Sequence, residues 1–384
     1  MIELSPIKSF SIDKRDWEKV KFGEIAFEPK ESVKNPAIES IEHVVGLEHI
    51  DTEDVRLRRS ASIEESTTFT KKFSTGDVLF GRRRAYLKKA AKADFEGICS
   101  GDITVMRPKD KLLADLLPFV VCNDKFFDFA VTHSAGGLSP RVKFKDLVGY
   151  EFLLPPEDVQ IDFVELFSVL NKHLENQKIN LEAIYNCQRS YWNEIRNKSE
   201  LVQVKSVAKI SNGTTPSTEN DVFWKGGTIP WLPTGSAHDK FISKSDRFIT
   251  QAAVDQKKSR IFPKNSTLVA MIGQGKTRGS SAMLNIDAAI NQNFACVTPI
   301  KIDPTFLFYA LFFSYQRLRN ISQGTNQLAL NCELVGIFKI PYVEEGMQKR
   351  IASTLSEFDK AIKSQVDAIV KSKKLLKSVI NEIF

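Results

Sequence analysis

The chain repeats itself at a distance of nearly half its length. Near the end, Ser378-Val379-Ile380-Asn381-Glu382-Ile383 echoes Ser190-Tyr191-Trp192-Asn193-Glu194-Ile195 in the middle, an offset of 188 (378 − 190). The same offset pairs Gln348 with Gln160 and Asp359-Lys360 with Asn171-Lys172, while Leu334-Val335-Gly336 answers Leu147-Val148-Gly149 at 187 (334 − 147). Solenoid repeats recur every ~20–50 residues. A period this long duplicates a whole domain together with a helix, and a duplicated reader suggests a target in two parts.

Hydropathy patterning divides the chain into four segments. Residues 1–156 hold short apolar runs between turn residues, among them Asp77-Val78-Leu79-Phe80-Gly81, Ile103-Thr104-Val105-Met106 and Tyr150-Glu151-Phe152-Leu153-Leu154. These read as strands, with a helical piece from Leu112 to Asn123. Pro155-Pro156 ends this part. Residues 157–197 then contain no glycine or proline and carry a stripe spaced every three or four positions: Phe163, Phe167, Leu170, Leu174, Leu181, Ile184, Gln188, Trp192 and Ile195, with Gln177 in phase. That spacing predicts a helical rod of about 60 Å. Residues 198–343 return to strands and loops, and residues 344–384 form a second rod, striped by Ile351, Leu355, Phe358, Ile362, Val366, Ile369, Leu376, Ile380 and Ile383, with Lys373 in phase. Matched lengths favour the two rods pairing as an antiparallel coiled coil over each packing alone against its own domain. The fold class expected is therefore α+β, with two pseudo-repeated α/β domains separated and joined by two long antiparallel helices.

With 42% hydrophobic and 26% charged residues the chain can build a core, and its formal charge of +7 favours a polyanionic partner. Five cysteines without a CxxC pair, and no leader-like start or long apolar run, point to reduced thiols in a cytoplasmic protein without membrane spans. Catalytic candidates are weak. Ala270-Met271-Ile272-Gly273-Gln274-Gly275-Lys276-Thr277 fits a relaxed phosphate loop, but a helix should begin at Lys276-Thr277, and Arg278-Gly279-Ser280-Ser281 is a poor start. A strand-loop-strand aligned with Phe80-Gly81-Arg82-Arg83-Arg84 is the expectation instead. Asp13 with Glu28-Pro29-Lys30 imitates a nuclease set only by chance spacing, and the five histidines lack metal-ligand spacing. The Asn/Asp-Pro-Pro-Tyr/Phe signature of amino-methyltransferases is missing, so the chain reads as non-catalytic.

Against that background, Ile210-Ser211-Asn212-Gly213-Thr214-Thr215-Pro216-Ser217 and Phe223-Trp224-Lys225-Gly226-Gly227-Thr228-Ile229-Pro230-Trp231-Leu232 resemble the opening of a target recognition domain of type I restriction-modification specificity subunits. Gly273-Gln274-Gly275-Lys276-Thr277, Ala289-Ile290-Asn291-Gln292-Asn293, Gly324-Thr325-Asn326-Gln327 and Leu334 to Pro341 continue the likeness, and Met347-Gln348-Lys349-Arg350-Ile351 is similar to the start of the family's helical region. Val45 to Asp51, Gly76-Asp77-Val78-Leu79-Phe80 and Ser134-Ala135-Gly136-Gly137-Leu138-Ser139-Pro140 resemble another variety of the domain, without the Gly-Thr-Thr-Pro opening. The resemblance implies a non-catalytic subunit that binds no cofactor itself and reads a bipartite site in double-stranded DNA. It implies two modification (adenine methyltransferase) subunits and restriction subunits as partners, which would bring S-adenosylmethionine, ATP and Mg. The paired helices would set the spacer and dock the modification subunits.

DNA contacts are expected from basic and amide-rich loops, since cations pair with phosphates and side-chain forks read base edges. In the first domain the candidates are Arg82, Arg83, Arg84, Lys88 and Arg141; in the second, Gln274, Lys276, Thr277 and Arg278 occupy the equivalent hairpin. Thr214, Thr215, Trp231, Asn326 and Gln327 rank after them, with Trp224 and Trp231 read as anchors rather than stacking platforms. The plain alternative makes residues 82–89 a solvated hairpin. Rival functions are a specificity chain of a methylation-only or phage-defence system, a stand-alone DNA-binding regulator and, more distantly, a nucleotide hydrolase.

Overall fold

The computed structural model describes residues 12–34, 41–63, 68–324 and 328–384, and divides into two compact units. The first comprises Met1–Lys178 and Asp367–Phe384, the second Ile179–Val366. Each unit thus combines a mixed α/β domain with part of both long helices, Glu157–Lys198 and Glu345–Ile383.

In the first unit, Glu18–Lys21 pairs antiparallel with Glu151–Leu154, which brings the two ends of the domain together where the helix Glu157–Lys198 begins. Inside lie a sheet in the order Ala26–Phe27, Ile103–Pro108, Val78–Gly81, Ala90–Lys92 and a second in the order Val44–Val45, Gly97–Cys99, Lys71–Phe73. Val78, Leu79 and Phe80 are all fully buried because both faces of their strand are covered. Alternation then sends Val78 and Phe80 into one core and Leu79 into another, with Ile50 and Phe73. Phe80 packs on Phe126 and Phe127 of the helix Asp124–Thr132, with ring centroids 5.8 and 5.6 Å away.

The second unit repeats this plan. Glu200–Gln203 pairs antiparallel with Lys339–Tyr342 at the entrance to the C-terminal helix. Its larger sheet runs Ala208–Asn212, Phe294–Pro299, Thr267–Ala270, Ser281–Leu284, and Phe241–Ile242 adds a parallel edge. Its smaller sheet pairs Ile229–Leu232 in parallel with Ala288–Ile290, as Val44–Val45 pairs with Gly97–Cys99 in the first unit. The strand order is therefore duplicated although the sequences have diverged.

The repeated glutamines explain how each helix is joined to its domain. Gln160 is buried, accepts from the Leu113 amide at 2.9 Å and donates to the Pro155 carbonyl at 3.0 Å. Gln348 is equally buried, accepts from Asp303 N at 2.7 Å and donates to Val343 O at 2.7 Å. A buried amide with both ends satisfied fixes an angle that apolar packing alone leaves free. The antiparallel pairing of the helices is direct in the second unit: Gln188 donates to Asp359 at 2.8 Å, Tyr191 lies on Phe358, and Trp192 and Ile195 share a core with Ile351 and Leu355. In the first unit Leu174 shares a core with Leu376 and Ile380. The stripe is less regular than the spacing predicts, since Val366 is exposed and Lys373 points to solvent.

The last turns of the chain are part of the first unit's core. Ile383 and Phe384 are buried, Lys14 Nζ donates to the Ile383 carbonyl at 2.9 Å, and the Asn381 side chain exchanges two hydrogen bonds with Asp124. Among the described residues no helix is long and apolar enough to cross a membrane.

Candidate functional site

Both units build the same pair of loops from equivalent backbone contacts. In the first, the strand Val78–Gly81 runs into the loop 82–89, where Arg82 N donates to Asp102 O at 3.0 Å and Val142 N donates to Arg82 O at 3.0 Å. In the second, Met271 N donates to Asn293 O and Leu330 N donates to Met271 O, both at 2.8 Å. The bridge Ala135↔Arg141 stands beside the first loop, and the bridge Gln323↔Ala329 beside the second. These contacts make Arg82 equivalent to Met271, Asp102 to Asn293, and Arg141 to Ala329.

The first unit gathers four of its five candidates. Arg83 donates to Asp102 at 3.1 Å and to Ser139 at 3.2 Å, and Arg141 donates to the other Asp102 oxygen through Nε at 2.8 Å. Arg84, in the left-handed region at φ 56°, reaches Ser139 at 3.3 Å. Arg82 is half-buried, and its Nε is enclosed without a hydrogen-bond partner. Burial opposes ionisation of Asp102, but the Arg141 and Arg83 guanidiniums outweigh it and hold the carboxyl below its usual range. Two guanidiniums share the Asp102 carboxylate, and Arg82 and Arg84 add two more cations in the same loop, which leaves it net positive. Lys88 does something else: it pairs with Asp124, the carboxylate that also meets Lys377 and Asn381 of the C-terminal helix. Leu138, at the tip between Gly137 and Ser139, is 98% exposed.

The second unit offers amides and fewer charges. The phosphate-loop alternative fails on backbone grounds: the strand Thr267–Ala270 turns through 271–280 into the strand Ser281–Leu284, with no helix at Lys276-Thr277. Gly273 at φ 118° makes the turn possible, since a Cβ there would lie 2.8 Å from that of Thr277. Tyr315 OH donates to Lys276 O at 2.9 Å, and Arg319 donates to the carbonyls of Gly275 and Arg278 at 2.9 and 3.0 Å. With its carbonyls pinned from behind, the loop leaves the side chains of Gln274 and Lys276 exposed. Thr277 faces His238 at 3.5 Å. Arg278 is buried, donating to Leu328 O at 2.7 Å, and so braces that backbone instead of facing outward. Thr214 donates to Lys258 O at 2.7 Å and Thr215 to Gln292 at 2.5 Å, in a separate loop. Trp231 is buried and Trp224 packs edge-on against it, with Arg247 over both rings at 4.6 and 4.8 Å, so both are anchors. Asn326 and Gln327 lie outside the described residues.

Sequence reasoning missed Asp102, Arg319, Tyr315 and His238. Each lies far along the chain from the loop it serves, and no local spacing announces it. Ser139 lay within a quoted motif but was not singled out. The nuclease-like set does not converge, because Asp13 pairs with Arg15 and Glu28 with Lys71. Among the described residues no three His, Cys, Asp or Glu side chains are grouped to hold a metal. Burial pushes the thiol of Cys99 up to about 12 and that of Cys296 to about 11, which makes both poor nucleophiles.

Comparison with known proteins gives a consistent set of likenesses. Residues 197–371 match the family model described as type I restriction modification DNA specificity domain. The MjaIX specificity subunit of Methanocaldococcus jannaschii is 29% identical over 191 residues, covering 48% of this chain and 42% of that protein. The EcoR124I/EcoR124II specificity subunit of Escherichia coli is 24% identical over 193 residues, 47% of each. The matches thus span less than half the length of these curated relatives. In fold, a chain from a structural study of assembly and conformational transition in a type I R-M system is similar at a TM-score of 0.61 and 17% identity, over 96% of this chain and 97% of that one. The S subunit of a type I system from M. genitalium is similar at 0.57 and 12% identity, over 96% of each.

Proposed function

We propose that the chain is a DNA-specificity subunit of a type I restriction-modification system, a reading supported by the family match over residues 197–371 and by the specificity-subunit relatives, and that each unit reads one half of a bipartite site in double-stranded DNA. The family model covers the second domain, and the first enters through the repeated strand order and repeated loop contacts. The observation that carries the reading is this duplicated pair of loops, cationic in the first unit and amide-bearing in the second. The first set comprises Arg82, Arg83, Arg84 and Arg141; in the second Gln274, Lys276 and Thr277 lead. Cations neutralise phosphates and give affinity, whereas guanidinium and amide forks distinguish guanine and adenine edges.

The chain's own part is recognition, with the chemistry left to partners. Those partners are two adenine-modifying subunits carrying S-adenosylmethionine and restriction subunits using ATP and Mg, with the paired helices fixing the spacer and docking the modification subunits. The cytoplasm is where such a system meets DNA. The test is a genome-wide map of N6-methyladenine in the native host with and without this gene. Loss of one split motif on deletion is expected. An unchanged map would refute the reading in favour of a stand-alone binder.

A further inference from the structure

The set Arg83, Asp102 and Arg141 exists in one copy of the repeat only. By the backbone contacts that equate the two units, its counterparts in the second are Ile272, Asn293 and Ala329. The second unit builds the same strands, the same strand-to-strand loop and the equivalent bridge without it. The ion-pair set is therefore dispensable for the fold of the domain, and all three residues differ together. A carboxylate stands where the guanidiniums stand, and an amide where they do not.

The hydrogen bonds show what the carboxylate does. Arg141 is anchored through Nε alone, at 2.8 Å, and its Nη1 and Nη2 have no partner among the described residues although the side chain is 46% exposed. Arg83 spends Nη1 on Asp102 and Nη2 on Ser139, and its Nε is enclosed. Arg83 is thus the brace and Arg141 the presented fork. The end-on Nη1/Nη2 pair is the geometry that meets guanine O6 and N7 in the major groove. A carboxylate behind it limits rotation of the side chain and subtracts one positive charge from the loop.

We propose that Asp102 is a positioning residue that holds Arg141 as a guanine-reading fork for the first half-site and restrains sequence-independent attraction to phosphates. This rests on the DNA-reading function proposed above. In contrast to a folding role, it gives the carboxylate opposite effects on specificity and on bulk affinity. Loss of the charge should weaken the first and strengthen the second.

The test uses the full chain co-expressed with its native modification partners, as wild type, as Asp102→Asn, and as the triple variant Arg83→Ile/Asp102→Asn/Arg141→Ala that copies the second unit. The readouts are the N6-methyladenine motif and the salt dependence of binding to random-sequence duplex. For Asp102→Asn, discrimination at one guanine of one half-site should fall about tenfold or more. The other half-site should stay intact, and the log–log salt slope should steepen by about one. The triple variant should melt within about 2 °C of wild type, as substitutions away from packed features do, yet lose preference at that guanine. The proposal is overturned if Asp102→Asn lowers affinity for random duplex, if it leaves the motif unchanged, or if the triple variant unfolds. A wild-type complex that binds no duplex would overturn the DNA reading itself and this inference with it.

Discussion

Asp77 and Arg107 set the turn that launches the strand Val78–Gly81 and, beyond it, the arginine loop. Asp77 is 2% exposed in its side chain and Arg107 29%. The carboxylate accepts from Arg107 Nε at 2.7 Å, Arg107 Nη2 at 2.9 Å and Ser74 N at 2.8 Å. Arg107 also reaches Glu31 at 2.8 Å, so the two partners are not equivalent. Arg107→Ala leaves a buried anion with a single remaining donor, a change that costs about 3–5 kcal/mol. The partial exposure of Arg107 favours the lower end, about 3 kcal/mol. Asp77→Ala should cost less, because Arg107 keeps Glu31 and access to water. The second unit supplies the control: at the equivalent place Ser266 and Thr298 share a neutral hydrogen bond of 3.1 Å. Asp77→Ser with Arg107→Thr should therefore recover most of the loss and end within about 1 kcal/mol of wild type. At about 2–4 °C per kcal/mol for a unit of this size, Arg107→Ala lowers the first unit's transition by roughly 10 °C. Calorimetry gives the midpoints, and hydrogen exchange of peptides from 71–107 against 261–299 assigns the transition to a unit. The reasoning is refuted if Arg107→Ala costs under about 1 kcal/mol, or if the double variant is less stable than the single one.

Two further outcomes are expected. Gly273→Ala should impair reading of one half-site while costing only about 1–3 kcal/mol of strain, because the φ of 118° and the Thr277 contact disturb an exposed turn and not a core; retention of both half-sites in the methylation map would contradict this. Burial opposes ionisation of Asp124, yet Lys88, Asn381 and Lys377 hold its carboxyl below the usual range. A depressed carboxylate stabilises above its unfolded value and loses that contribution as pH falls through the folded one. Exchange protection of residues 376–384 should thus be flat from neutral pH to about 5 and fall below about 4; loss already near pH 6 would show that another group controls the docking.

The division of labour between sequence and structure can be followed through particular residues. The rods were readable because a stripe such as Phe163, Phe167, Leu170 and Leu174 is a local property of a helix with one buried face. Val366 and Lys373 fell outside the expected pattern, since which part of a stripe is covered depends on the packing partner. The loop 82–84 was readable as a cluster of cations, but its geometry was not: Asp102 lies about twenty positions away, and the sheet register brings it there. Arg278 and Lys88 show the converse dependence on the fold. Both look like DNA-facing cations in sequence, and Leu328 and Asp124 claim them in the fold.

The sequence by itself determined that the chain is a duplicated α/β-plus-helix protein, because an offset of 188 and three-four apolar spacing are carried by the order of residues alone. Only the tertiary structure decided which half of each long helix completes which domain, and which arginines are braced and which presented. Those outcomes depend on contacts between residues far apart in the chain, such as Asn381 with Asp124 or Arg141 with Asp102. Side-chain direction across such distances is set by strand register and packing, which no local spacing encodes.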